Sequence, residues 1–117
     1  MKNVLGLGAA MLIGLMAVPA AAQNIPTNPN VSLRVGQSTI VHGARGRACG
    51  ATAPSWAETA ATLPSSQIGT FSDAGIGTRG SRSCGGNVPA RAIRFKATKK
   101  GSEVVTIQGD PISITVQ

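Results

Sequence analysis

The chain has 117 residues and a formal net charge of +7, with 11 lysines and arginines against four acids. Its only aromatic residues are one tryptophan and two phenylalanines, so the stacking platforms that specific binding of single-stranded nucleic acid usually needs are scarce. Two cysteines and one histidine are too few to form a zinc site. The length predicts one domain with a modest core.

Residues 1–22 have the layout of a secretory signal peptide. Lys2 precedes an apolar run from Val4 to Val18, and small residues follow at Ala20–Ala22. The run reaches Pro19 after about 15 residues, whereas a membrane-spanning helix needs about 20. We therefore expect cleavage before Gln23, export to the periplasm or beyond the cell, and a mature protein without a transmembrane span.

The cysteine pattern predicts one disulfide bond. Cys49 and Cys84 form an even count in an exported chain, and neither belongs to a C-x-x-C motif. Closing a loop of about 35 residues would stabilise the fold by about 3–4 kcal/mol according to the chain-entropy account.

The first half of the mature chain predicts an extended arm followed by strands. Residues 23–30 are rich in proline and asparagine and cannot continue a helix. Val31–Val35 alternates apolar and polar residues, as a half-buried strand does, and residues 38–42 form a second short run after Gly36. Residues 43–52 then read as a loop of glycine and arginine.

Residues 54–71 are open to two interpretations. Alanine and glutamate favour a short helix over SWAETAATL, which Pro54 and Pro64 would confine to two turns. The alternative, which we favour from the sequence, is a strand through Trp56 followed by an edge segment, because prolines are tolerated at sheet edges.

A glycine-rich stretch from Asp73 to Asn87 contains G-x-G-x-x-G at Gly75–Gly80. In a dinucleotide-binding fold this motif follows a buried strand and opens a helix, whose N-terminus holds the phosphates. Here FSDA precedes it and SRSCGG follows it, and neither has the required character. The sequence therefore predicts a flexible or disulfide-anchored loop, with no nucleotide cofactor.

The C-terminal third predicts three strands. ARAIRFKAT places Ile93 and Phe95 on one face, EVVTIQ forms the next strand, and ISITVQ ends the chain. The intervening KKGS and GDP segments predict turns, which together indicate an antiparallel meander. With six or seven short strands and no long amphipathic helix, we expect an all-β fold, an antiparallel two-sheet β-sandwich over residues 31–117.

Several of these features resemble small exported bacterial immunoglobulin-like domains. They are a cysteine after the second strand, a glycine-rich loop with Cys84-Gly85-Gly86, and the ending IRFKATKKGSEVVTI…ISITV. The resemblance covers most of residues 31–117 and implies an immunoglobulin-like sandwich, a disulfide that tethers its loops, and no catalytic residues. The chain departs from true immunoglobulin domains because it has no tyrosine, and hence no tyrosine corner.

Catalytic chemistry finds little support. His42, the only histidine, ends a short strand pattern and is interpreted as an exposed or capping residue rather than a general base. The four acids are scattered, with no spacing typical of a glycosidase carboxylate pair: Glu58, Asp73, Glu103 and Asp110. We expect a non-enzymatic protein without metal or cofactor.

The positive charge is the one chemically suggestive feature. Without Lys2, +7 becomes +6 for residues 23–117, which favours anionic polymers or surfaces as partners. Four arginines lie in the two segments that carry the cysteines: Arg45, Arg47, Arg79 and Arg82. A bridge would bring these segments together, and guanidinium groups bind phosphate or carboxylate bidentately.

The sequence thus favours a domain whose basic loops contact an anionic envelope component or a partner protein, and it predicts no specific nucleic acid. The alternative is a peptidase inhibitor, because inhibitors of the chagasin type are also single sandwiches with three loops at one end. Their characteristic loop motifs are not matched here, since the last loops read KKGSE and GDPIS. Service as one piece of a larger surface assembly is a third possibility.

Overall fold

The computed structural model describes residues 23–117, so the predicted signal peptide lies outside the described residues. The described chain forms seven strands and one short helix: β1 (Gln23–Asn24), β2 (Asn30–Leu33), β3 (Ser38–Arg45), α1 (Trp56–Ala60), β4 (Gly69–Ser81), β5 (Gly86–Ala97), β6 (Gly101–Ile107) and β7 (Asp110–Val116). Over the same residues, no helix is long and apolar enough to cross a membrane.

The strands form two sheets, which confirms the prediction of a small all-β, sandwich-like fold. One sheet has the order β1-β4-β5-β3 and the other the order β2-β7-β6. A single cluster of buried side chains draws on both sheets, and its fully enclosed members include Ile93, Phe95, Ile107, Ile112 and Ile114. Burial of these side chains, at about 1.5–3 kcal/mol each, is the main force that holds the sheets together.

The three C-terminal strands do not form one meander, so that prediction is wrong. Among the described strands, β5 pairs with β4 and β3, whereas β6 pairs only with β7. The KKGS segment therefore crosses from one sheet to the other. Alternation of apolar residues fixes which face of a strand is buried, but it does not identify the neighbouring strand.

Residues 56–60 are helical, so the favoured strand through Trp56 is wrong. Ser55 and Glu58 form a capping box: Ser55 Oγ accepts from the Glu58 N–H at 3.1 Å, and Glu58 Oε1 accepts from the Ser55 N–H at 2.9 Å. The hydrogen bond from the Ser55 backbone, and then the one with its side chain, lower the pKa of Glu58. Trp56 is half-buried and, with Leu63, packs against the main core.

The glycine-rich stretch is mostly strand rather than loop, which corrects a second prediction. β4 and β5 form a long antiparallel hairpin, and only residues 82–85 turn between them. Gly75, at φ +92°, lies where the register shifts between Asp73 and Ile76, so it serves a β-bulge. The G-x-G-x-x-G letters therefore lie along a strand, and no helix follows them.

The N-terminal arm is docked on the four-stranded sheet. Ile25 is buried against Ala90 and Ala92, and its N–H donates to the Thr78 carbonyl at 2.7 Å. Gly77 makes this approach possible, because a Cβ there would lie only 2.5 Å from the Gln23 carbonyl oxygen. The arm then continues into β2, which runs parallel to β7 in the other sheet, and β1 likewise runs parallel to β4. The expectation of wholly antiparallel sheets is therefore wrong in one strand pair of each sheet.

Candidate anion-binding site

Three of the four predicted site arginines meet at one end of the four-stranded sheet. Arg45 ends β3 and lies opposite Ala90 of the central strand β5, while Arg79, near the end of β4, lies opposite Val88 of β5. Because β5 runs between β3 and β4, Arg45 and Arg79 occupy neighbouring positions on either side of it. Arg47 follows β3 in an exposed segment. Two of these arginines are thus fixed on strands rather than in loops, contrary to expectation.

The Arg79 side chain reaches across the central strand. Its Nη1 donates to the Gly43 carbonyl of β3 at 2.8 Å, although β3 and β4 are not hydrogen-bonded neighbours. Its Nε is buried and has no acceptor among the described residues. One hydrogen bond therefore fixes the guanidinium at this place, while other donors of the group are not used within residues 23–117.

A cavity of about 390 Å³ opens at this end of the sandwich, and six residues line it: Arg45, Gly46, Arg47, Arg79, Gln108 and Asp110. Three arginines and one aspartate are among these six residues, so the lining has a positive formal charge. Arg82 does not line this cavity; it lies exposed in the turn between β4 and β5. Of the four predicted arginines, three line this cavity.

Gln108 attaches the second sheet to the Arg45 backbone. Its side-chain oxygen accepts from the Arg45 N–H at 3.1 Å, and its side-chain nitrogen donates to the Arg45 carbonyl at 3.1 Å. Gln108 and Gly109 both have positive φ, 47° and 84°, and together they form the two-residue turn between β6 and β7. This turn closes one wall of the cavity.

His42 and Asp110 join the two sheets behind the cavity. The two atoms, His42 Nε2 and Asp110 Oδ2, are 2.8 Å apart. We assign the proton to Nε2, because a carboxylate can only accept. His42 is completely buried, so its interpretation as an exposed or capping residue is wrong.

A β-bulge explains the burial of His42. The register of β3 against β5 shifts between Ile40 and His42, so Val41 is an extra residue and Val41 and His42 both turn inward. Strict alternation would have placed the two on opposite faces. Nothing in the letters VHG signals the bulge, so sequence reasoning had no means of finding this contact.

A disulfide bond lies next to Arg45, one of the cavity arginines. Cys49 and Cys84 are bridged, with their Cα atoms 5.5 Å apart, which confirms the predicted disulfide. Arg45 Nη1 lies 3.7 Å from Cys84 Sγ, so the side chain extends toward the bridge. The bridge thus connects the chain after β3 to the β4–β5 turn.

The ionic contacts of the described chain leave the cavity arginines unpaired. Within residues 23–117, salt bridges join only His42 to Asp110 and Arg91 to Asp73. Arg91 also donates to the Pro54 carbonyl at 3.0 Å, so it anchors the segment before α1. In the same residues, no three histidine, cysteine, aspartate or glutamate side chains gather to hold a metal ion.

Sequence reasoning missed Gln108 and the connection of Asp110. The letters QGDP signal a turn, but they do not say which strand end the turn contacts. That contact depends on how the second sheet stacks on the first.

Comparison of the chain with protein-family models, curated proteins and solved structures found no match. A functional assignment therefore depends on the geometry of residues 23–117.

Proposed function

We propose that this protein is an exported, non-enzymatic binding domain that holds an anionic group of an envelope component or partner protein in the arginine cavity. One observation carries the proposal: Arg45, Arg47 and Arg79 line one cavity, and none of them has an ion-pair partner among the described residues. Unpaired guanidinium groups that converge on a concave surface are suited to phosphate or carboxylate.

The one carboxylate among the lining residues is bonded to a histidine, which is compatible with this proposal. Asp110 bonds the imidazole of His42, so it lies in the cavity wall without neutralising an arginine in a salt bridge. The His42 ring is wholly enclosed. An enclosed ring bonded to a carboxylate is placed to join the sheets, not to exchange protons with a substrate.

An immunoglobulin-like sandwich in an exported chain is part of the proposal. A disulfide bond is the usual companion of export, and the two-sheet fold with β2 beside the last strand is compatible with that architecture. Such a fold presents strand ends and turns at its two ends, where binding sites commonly lie.

Charge-matched variants of residues 23–117 test the proposal. One variant carries Arg45→Gln, Arg47→Gln and Arg79→Gln. The control carries Arg34→Gln, Arg82→Gln and Lys96→Gln, three exposed bases outside the cavity. Both lose three charges, so the comparison holds the net charge constant; circular dichroism checks that the cavity variant, which also loses the bond from Arg79 to the Gly43 carbonyl, is folded. The probes are isolated bacterial envelopes, polyphosphate and polygalacturonate, and sedimentation and titration are performed at low and high salt.

The cavity variant should bind about tenfold or more weakly than the control, because each lost guanidinium removes charge-assisted hydrogen bonds. Preference for polyphosphate or polygalacturonate would identify the anionic group as phosphate or carboxylate. Equal losses in the two variants would show that only net charge matters, and would refute a site at the cavity. Loss of binding with salt is expected in either case.

A further inference from the structure

The free edge of β6 borders a groove that the anion site does not use. The groove has a volume of about 660 Å³ and is lined by every residue from Gly101 to Thr106. Successive residues of a strand point to opposite faces, so a cavity that touches all of them must run along the edge of the strand. Lys99 and Lys100 lie at the end where β6 begins, and four residues between 64 and 68 line the other side: Pro64, Ser65, Gln67 and Ile68.

The backbone of β6 has hydrogen-bonding groups that point into this groove. Among the described strands, β6 pairs only with β7. Pro111 stands opposite Thr106 and has no N–H, so this is a non-hydrogen-bonded pair. Because the two kinds of pair alternate, Ser102 and Val104 are also of this kind, and their N–H and C=O groups point away from β7 together with those of Thr106.

The side chains around the edge add an apolar and a positive element. Val104 is 64% exposed, which is the largest exposure of any large hydrophobic residue described. Glu103 is the one acid that lines the groove, and its Oε1 accepts from the Gln67 N–H at 3.1 Å. Lys99 and Lys100 thus leave a net positive charge at the beginning of β6.

The chain between β3 and β4 passes this side of the molecule without forming a strand. It makes α1 and then the extended wall at residues 64–68. The edge of β6 therefore has no strand beside it in the described chain, in contrast to β7, which is paired on both sides. Exposed edges of this kind accept an added strand from another chain.

We propose that the β6 groove binds an extended segment of an acidic partner protein as an added β-strand. The N–H and C=O groups of Ser102, Val104 and Thr106 would pair with its backbone, and Lys99 and Lys100 would select acidic residues at one end. A second copy of this chain suits the groove less well, because each copy brings its own wall of residues 64–68 and a charge of +6.

Peptides of defined design probe the groove on the intact mature chain. One alternates threonine and valine and ends in two aspartates, a second carries the aspartates at its N-terminus, and a third carries lysines instead. The first suits an antiparallel and the second a parallel addition. Affinity is measured by fluorescence anisotropy, and amide hydrogen exchange is followed by NMR.

We expect an aspartate peptide to bind at least about tenfold more tightly than the lysine peptide. It should also slow amide hydrogen exchange selectively at Ser102, Val104 and Thr106. Val104→Pro removes one outward N–H and should weaken binding about tenfold, because one backbone hydrogen bond to the peptide is lost. The variant should still fold, because proline is tolerated on an edge strand where its nitrogen faces solvent. Ser32→Pro, on the opposite edge strand of the same sheet, is the matched control and should bind normally.

Charge reversal keeps the test decisive if Val104→Pro does not fold. Lys99→Glu with Lys100→Glu should reverse the preference, so that the lysine peptide binds better. Three results would overturn the proposal. Neither aspartate peptide binds, or a peptide binds without slowing exchange at the three amides, or sedimentation shows that the wild-type chain is a dimer and that Val104→Pro makes it a monomer. The arginine-cavity variant should bind these peptides normally, so failure here leaves the proposed function untouched.

Discussion

The two faces of the four-stranded sheet are covered in opposite ways. The inner face carries large side chains such as Ile93 and Phe95, which interlock with those of the second sheet. The outer face around the arm carries small residues, among them Ala90 and Ala92, and is covered by Ile25, with Ile40 and Ala74 packed beside it.

This difference predicts opposite sensitivities to side-chain size. On the inner face, a smaller side chain leaves a cavity between two sheets that cannot collapse. On the outer face, a larger side chain lifts the arm, because its backbone lies almost directly on the strands. The same sheet should therefore tolerate neither truncation on one side nor enlargement on the other.

The largest effect is expected for Phe95→Ala on the inner face. Phe95 is fully buried and its ring meets Phe71 edge-to-face, with centroids 5.3 Å apart. We expect the free energy of unfolding to fall by about 3–5 kcal/mol, measured by denaturant titration. Phe95→Leu, which keeps most of the volume, should lose less. Equal losses for the two variants would contradict a packing origin.

Removal of the disulfide should lower the free energy of unfolding slightly less than Phe95→Ala does. It tests the contribution of a covalent constraint on the unfolded chain, as distinct from side-chain packing. The bridge closes a loop of 35 residues, and Cys49→Ser with Cys84→Ser should lower the free energy of unfolding by about 3–4 kcal/mol. The loss acts mainly through the unfolded chain, so native near-ultraviolet circular dichroism should be retained at low temperature. Reduction of the wild-type protein should give the same value; a clear disagreement would implicate the serines themselves.

Enlargement on the outer face gives the next effect, through Gly77→Ala. The added Cβ would lie 2.5 Å from the Gln23 carbonyl oxygen, so the arm must shift. We expect the free energy of unfolding to fall by about 1–3 kcal/mol. Hydrogen exchange of the Ile25 amide, which donates to the Thr78 carbonyl in the wild type, should become faster.

Gly80→Ala is the matched control for that prediction. Gly80 lies on the same strand, and an added Cβ would meet only Asn87 Oδ1, at 3.8 Å. This variant should be neutral or gain up to about 1 kcal/mol. If it loses as much as Gly77→Ala, the arm is not the cause.

The smallest effect concerns α1, which packs beside the inner core. Since the pKa of Glu58 is lowered on folding from 4.5, its carboxylate stabilises the native state above that value, and this contribution is lost as pH falls through the folded pKa. Glu58→Gln retains the bond to the Ser55 N–H but does not titrate. The difference in thermal midpoint between wild type and variant should shrink below about pH 4.5. A pH-independent difference would exclude this contribution.

Local chemistry in the sequence predicted much of the fold. Alternation identified β2, β6 and β7, and the cysteine count identified the Cys49–Cys84 bridge. It failed at α1, where the prolines favoured a strand and an edge segment, whereas Ser55 and Glu58 form a capping box that starts a helix. It also failed along β4, whose glycines looked like a loop because the arm that covers Gly77 is distant in sequence.

For the candidate site, the sequence supplied the residue types and the tertiary structure chose among them. Arginines near two bridged cysteines were visible in the letters, but whether Arg79 or Arg82 faces Arg45 depends on strand register. The His42–Asp110 contact depends on a bulge and on the stacking of two sheets, neither of which leaves a local signature. Periodicity and composition are properties of neighbours along the chain, whereas register, sheet order and stacking are set by contacts between residues far apart, and so only the folded molecule decided them.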